Sequence, residues 1–217
     1  MTEASAVVDA LSIALLVLAV ASVAMRSLVA GVWLLVAQSV LLAAVAVTLA
    51  IASGVDHMWA AAALTLAIRA IAVPAVLLVV LRRVALRREL RPLLPTRSAL
   101  LVAVGLTLVA FTAAGRLELS DAFPSRQALP VSLSLTFVGV LLMATRRKAI
   151  SQLIGLVVIE NGIFLTGLIA TLGLPLFVEI GVFFDLLVAV GVTAVLTMRI
   201  NEHFDTMNTD QLRRLRG

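Results

Sequence analysis

The chain has no cysteine, only two histidines, and few charges, with Asp, Glu, Lys and Arg making up 13% of its 217 residues. Without cysteine it forms no disulfide, no thiolate zinc site and no iron–sulfur cluster of its own. His57 and His203 both fall outside the long apolar runs. A haem held between transmembrane helices therefore lacks its usual axial ligands, and the sequence predicts no cofactor in this chain. What is abundant is apolar surface: 62% of the residues are hydrophobic and the mean hydropathy is +1.16. A soluble fold of this size cannot bury that much, so lipid is expected to solvate most of it. The net charge of +5 would suit nucleic acid, but the cations gather in short loops, as topology signals do. Met1–Asp9 carries Glu3 and Asp9 and no Lys or Arg, so it lacks the basic start of a signal peptide and predicts a retained first span.

Seven apolar runs are long enough to cross a bilayer: Val7–Met25, Leu28–Ser53, Trp59–Leu81, Ser98–Gly115, Leu129–Thr145, Ile150–Leu172 and Pro175–Met198. They are continuous rather than alternating, which predicts an all-α integral membrane protein and not a barrel. The first two are separated only by Arg26 and Ser27, which requires a tight turn. Arg82, Arg83, Arg87, Arg88, Arg91 and Arg97 lie between spans three and four, and Arg146, Arg147 and Lys148 between five and six. The loop with Arg116, Glu118, Asp121 and Arg126 is neutral. These charges predict an outside amino terminus and a cytoplasmic carboxyl tail, residues 199–217. A cation precedes a mid-helix polar group by twelve positions in both Arg26–Gln38 and Lys148–Glu160. That suggests a parallel 3+1+3 repeat: three spans within 1–84, a linking helix over 98–115, and three spans within 129–198.

Four polar side chains interrupt these runs. Gln38, Arg69, Glu160 and Asp185 each lie about ten residues from one end of a run, or roughly 15 Å deep. Ionisable groups at that depth are costly and mark functional sites by default. Low dielectric disfavours the charged carboxylate, which suits Glu160 to trading protons; the bland alternative is hydrogen-bonded glue between helices. Asp185 repeats the argument one helix later, and two acids in one site favour sharing a proton. Glu179, about four residues from the outer end, is either an interfacial residue or an outer relay. Arg69 cannot shed its charge and needs a partner, Glu160 or Asp185. Pro74 is expected to kink span three by removing a backbone hydrogen bond, freeing polar backbone groups close to Arg69. Gln38 reads as polar support, and Asn161, about 100° around the helix from Glu160, is expected to face a neighbouring helix or subunit. Gly155 and Gly162 share a face suited to close helix packing.

Arg146-Arg-Lys-Ala-Ile-Ser-Gln-Leu-Ile-Gly-Leu-Val-Val-Ile-Glu-Asn-Gly-Ile-Phe-Leu165 resembles component E of hydrogenase-4, a membrane subunit of energy-converting [NiFe] hydrogenases. The tail Glu202-His-Phe-Asp-Thr-Met-Asn-Thr-Asp-Gln-Leu-Arg-Arg-Leu-Arg216 and the stretch Arg69-Ala-Ile-Ala-Val-Pro74 extend the likeness. Spans five to seven are also similar to the K subunit of complex I and the C subunit of Mrp-type antiporters. That family places a membrane Glu soon after an Ile-Gly-Leu and another in its third helix; here Val157 follows Ile154-Gly155-Leu156, Glu160 comes three residues later, and the third-helix acid is Asp185.

The resemblance implies a non-catalytic membrane subunit of a complex-I-like respiratory hydrogenase. It would reside in a bacterial or archaeal cytoplasmic membrane and assist proton translocation through Glu160, Asp185 and Glu179. Antiporter-like and quinone-site-like membrane subunits would flank it, and peripheral hydrogenase subunits would carry the NiFe centre and the Fe–S clusters. Two alternatives stay open: a structural bridge without a proton role, and a subunit of a Mrp-type cation/proton antiporter.

Overall fold

Two tight connections organise the first three spans. A computed structural model describes residues 2–83, 93–116, 125–170, 187–193 and 195–196. Helix α1 (Thr2–Ala24) turns at once into α2 (Leu28–Ser53), whose N-cap Ser27 accepts a hydrogen bond from the Ala30 amide at 3.3 Å. That bond satisfies one of the donors left free at a helix start. Gly54 ends α2 in the left-handed region, φ +68°, where its N–H reaches the Ala50 carbonyl at 3.0 Å. A side chain there would be strained, so glycine supplies the turn.

The third span is one continuous helix of mixed pitch: α3 (His57–Leu64), a π-helical stretch Thr65–Ala72, and α4 (Val73–Arg83). Where the sequence predicts a kink from Pro74, the structure carries this widened turn. The Val73 N–H bonds back five residues to Ile68, just before the proline that can donate nothing. Such π turns relieve a local mismatch without breaking a helix.

Helix α5 (Thr96–Ala114) meets the bundle through Ala99, Ala103, Ala110 and Ala114, while Leu101, Leu108 and Val109 on its other sides are exposed. Small residues allow close approach in lipid, and large apolar ones suit the acyl chains. Helices α6 (Ala128–Thr145) and α7 (Ala149–Ala170) pack most tightly. A Cβ at Gly139 would lie 2.7 Å from the Gly155 carbonyl, and one at Gly162 2.7 Å from that of Ser132. Thr166 adds a hydrogen bond to the Ser132 hydroxyl at 2.9 Å.

Six of the described helical segments are long and apolar enough to cross a membrane, and no strand occurs among the described residues, so the chain is an all-helical, multi-pass membrane protein. The expected seventh span, Pro175–Met198, falls largely outside the described residues; within it, residues 187–193 and 195–196 are helical. The turns carrying Arg26, Thr96, Thr145 and Arg146 meet at one end, called here the basic end. There Leu93 N–H bonds the Thr145 carbonyl at 2.9 Å, and Arg146 Nη2 donates to Val23 O at 2.8 Å and Met25 O at 3.0 Å. At the opposite end, the Ser125 hydroxyl donates to Asp9 and accepts from the Ala128 amide.

Candidate functional site

α2, the π stretch and α7 converge on one buried polar cluster. Arg69 is fully buried, and Thr65–Ala72 carries its guanidinium against α7. There Arg69 Nη1 donates to Asn161 Oδ1 at 2.8 Å, and Nη2 lies 3.8 Å from Glu160 Oε2. The guanidinium carbon stands 5.1 Å from the centre of the Phe164 ring, a cation–π distance. Residues 160, 161 and 164 of α7 thus offer a carboxylate, an amide and an aromatic face to one cation. That combination answers the cost of a permanent charge in low dielectric.

The cluster continues into α2. Asn161 Nδ2 donates to Gln38 Oε1 at 3.3 Å, Gln38 Nε2 donates to Ser22 Oγ at 3.4 Å, and Ser22 Oγ donates to the Leu18 carbonyl at 2.9 Å. Every bond donates away from Arg69, so the guanidinium polarises the whole series in one direction. Gln38 and Asn161 are both fully buried. The structure therefore brings Arg69, Glu160, Asn161 and Gln38 together. Asn161 faces two neighbouring helices of its own chain, Gln38 on α2 and Arg69 on the third span. Asp185 and Glu179 lie outside the described residues. Gly155 and Gly162 sit where α7 touches α6: a Cβ on Gly155 would lie 2.8 Å from Met143 N, and one on Gly162 2.6 Å from Thr136 Oγ1.

Two members of the constellation carry no clear sequence signal. Ser22 resembles any small helical residue bonded back to its own previous turn. Arg146 sits in a basic loop, yet its guanidinium is buried and caps the last carbonyls of α1. With Ser22, Ser27 and Ser151 it lines a cavity of about 20 Å³ at the basic end. Among the described residues, no group of three or more His, Asp or Glu could hold a metal ion. The arrangement sets an acid, whose charge can vary, beside a cation whose charge is fixed.

Residues 127–217 match the family of NADH-ubiquinone/plastoquinone oxidoreductase chain 4L. The matched region contains Glu160 and Asn161, whereas Arg69, Gln38 and Ser22 come from outside it. Along its length the chain is similar to the uncharacterized protein Rv0085 of Mycobacterium tuberculosis, 35% identical over 192 residues, or 88% of this chain and 87% of that protein. No solved structure is significantly similar to it.

Proposed function

Because the chain belongs to one family with the Mycobacterium tuberculosis protein Rv0085, and its residues 127–217 match the chain 4L family, we propose that it is a membrane subunit of a complex-I-like oxidoreductase that helps move protons. The observation that carries this reading is the contact of Glu160 with the buried Arg69. When Glu160 is ionised the two charges balance; when it binds a proton, the cluster gains one positive charge. In a low-dielectric interior that change is felt over long distances. A redox-driven shift in partner subunits that alters the field or hydration at Glu160 would bias its protonation, and the reverse shift would release the proton. Asp185 and Glu179 would extend the route, with the amino terminus outside, the carboxyl tail cytoplasmic and a seventh span completing the bundle.

The finer assignment is a hydrogenase-4 type complex, with this chain in the place of component E. Antiporter-like and quinone-site-like subunits would sit beside it, and a peripheral arm would carry the NiFe centre and Fe–S clusters. Its resemblance rests on Arg146–Leu165, on Arg69–Pro74 and on the tail. Purifying the assembled complex tests this: a nickel- and cluster-bearing partner supports it, and a complex without one favours the Mrp-type antiporter reading.

The proton role is tested by Glu160→Gln in the assembled complex reconstituted into vesicles. Electron transfer should persist while proton translocation falls. An unchanged ratio of protons to electrons rejects the role. The second reading, a bridging subunit without proton traffic, draws on the glycine contacts of α6 and α7. Under it, Glu160→Gln is silent and Gly155→Leu breaks assembly.

A further inference from the structure

Ser22 is the last side chain in the hydrogen-bonded series from Arg69, and it also lines the basic-end cavity. That cavity, partly open at the basic end, offers about 20 Å³, above the roughly 10–15 Å³ that one water requires. Its lining includes three hydroxyls, Ser22, Ser27 and Ser151, and the Arg146 guanidinium. Met25, Leu28, Gly31, Leu142 and Ile154 complete the lining, so the site is polar on one side only; its four polar side chains meet the roughly two to four partners that a buried water needs. Near the other end of the series, Thr65 lies four positions before Arg69, fully buried, with its hydroxyl unpartnered among the described residues. A buried hydroxyl in that state is commonly met by water.

Between these two places stands Gln38. Its two hydrogen bonds, 3.3 and 3.4 Å, are the longest in a series whose other members are 2.8 and 2.9 Å. Bonds of that length are weak, so Gln38 is the link most easily released. The series in this arrangement does not carry protons. Neither an amide nor a guanidinium gives one up near neutral pH. It is a plug, and water must replace part of it before protons can pass.

We propose that the cavity lined by Ser22, Ser27, Arg146 and Ser151 is a bound-water site, and that Gln38 is the gate between this water and Glu160. With the Gln38 side chain turned aside, the Ser22 hydroxyl and the Asn161 amide are free to hold water in its place. A proton arriving along that water adds to a Glu160 carboxylate oxygen and leaves a neutral water behind. Release runs by the reverse transfer. This rests on reading Glu160 as a proton-handling residue, and it gives that residue access from the basic end.

The test uses the assembled complex. Hydrogen–deuterium exchange at the Glu160 carboxyl is followed by infrared difference spectroscopy, with Glu160→Gln identifying the band. Gln38→Ala leaves room for water and should accelerate exchange about tenfold or more, the factor given by about 1.4 kcal/mol of barrier. Gln38→Leu fills the passage with apolar atoms and should slow exchange by a similar factor. A density map should show water within hydrogen-bonding distance of Ser22 and Arg146. Exchange that changes in the same direction in both variants, exchange at the native rate in either, or a cavity without water density overturns the proposal. If either variant does not assemble, Gln38→Asn keeps the amide but shortens its reach, and should speed exchange; the native rate in that variant also overturns the gate. Loss of translocation in Glu160→Gln with normal Gln38 variants rejects the gate and keeps the proton role. Full translocation in Glu160→Gln rejects the role itself.

Discussion

Arg69 on the third span and Asn161 on α7, separated by 92 positions, meet in a 2.8 Å hydrogen bond inside the bundle. The bond ties a fully buried cation to the residue beside Glu160. The amino-terminal helices are thereby joined to the part that matches the chain 4L family. Neither region holds the cluster alone.

Arg69→Met should therefore destabilise the protein by about 3–5 kcal/mol, because Glu160 loses the guanidinium that balances it. Combining it with Glu160→Gln should recover about 1–3 kcal/mol of that loss, the coupling expected between residues in contact. Reversible unfolding of the four members of this cycle in bicelles measures the coupling. Strict additivity would show that the two side chains are energetically independent.

A second expectation concerns backbone contact between α6 and α7. Gly139→Ala places a methyl 2.6 Å from Ile159 Cγ1, against atoms with little room to retreat. It should cost about 1–3 kcal/mol, as overpacking does. A methyl added at Gly105, on the exposed side of α5, would meet nothing within 4 Å, so Gly105→Ala should be neutral or stabilising by up to about 1 kcal/mol. Thermal melting of the two variants side by side checks the contrast.

Arg146 holds the end of α1 through its bonds to the Val23 and Met25 carbonyls. Removing such charge-assisted bonds in Arg146→Ala should cost about 1.5–3 kcal/mol. Amide exchange should then accelerate around residues 22–28 and leave α7 little changed. Arg146→Lys should fall between, because an ammonium lacks the planar fork that spans several carbonyls. Equal exchange in all three proteins would remove the capping role.

At the other end, Ser125 accepts from the Ala128 amide at 3.0 Å and donates to Asp9. Ser125→Ala loses both and should cost about 0.5–2 kcal/mol, the usual effect of losing a helix cap. Asp9→Ala loses one and should cost less. Added to Ser125→Ala, it should make little further difference. A double variant as unstable as the two single losses combined would contradict the contact.

Six of the spans were legible because apolar run length reports lipid crossing directly. Leu28–Ser53 is the same in sequence and structure, and Leu129–Thr145 differs by one residue from α6. The first helix differs more, beginning at Thr2 rather than Val7. Helical hydrogen bonding continues beyond the point where apolar character stops. Within the site, Gln38, Arg69 and Glu160 each stood out by interrupting a run. What one chain cannot reveal is how its helices are rotated and offset against one another. The order of contacts from Arg69 through Asn161 and Gln38 to Ser22 depends on those rotations. The π stretch was illegible for a similar reason: Pro74 predicts a kink from the bond it removes, but not that the helix widens into a π turn there. Arg146 was visible only as a loop charge, since its reach to α1 is a property of packing.

The glycines at 139, 155 and 162 remove the cushion of side chains that ordinarily separates two helices. α6 and α7 consequently meet main chain to main chain along this seam. At Gly162 the neighbour is the main-chain carbonyl of Ser132, and at Gly139 that of Gly155, so neither helix shifts past the other without displacing backbone.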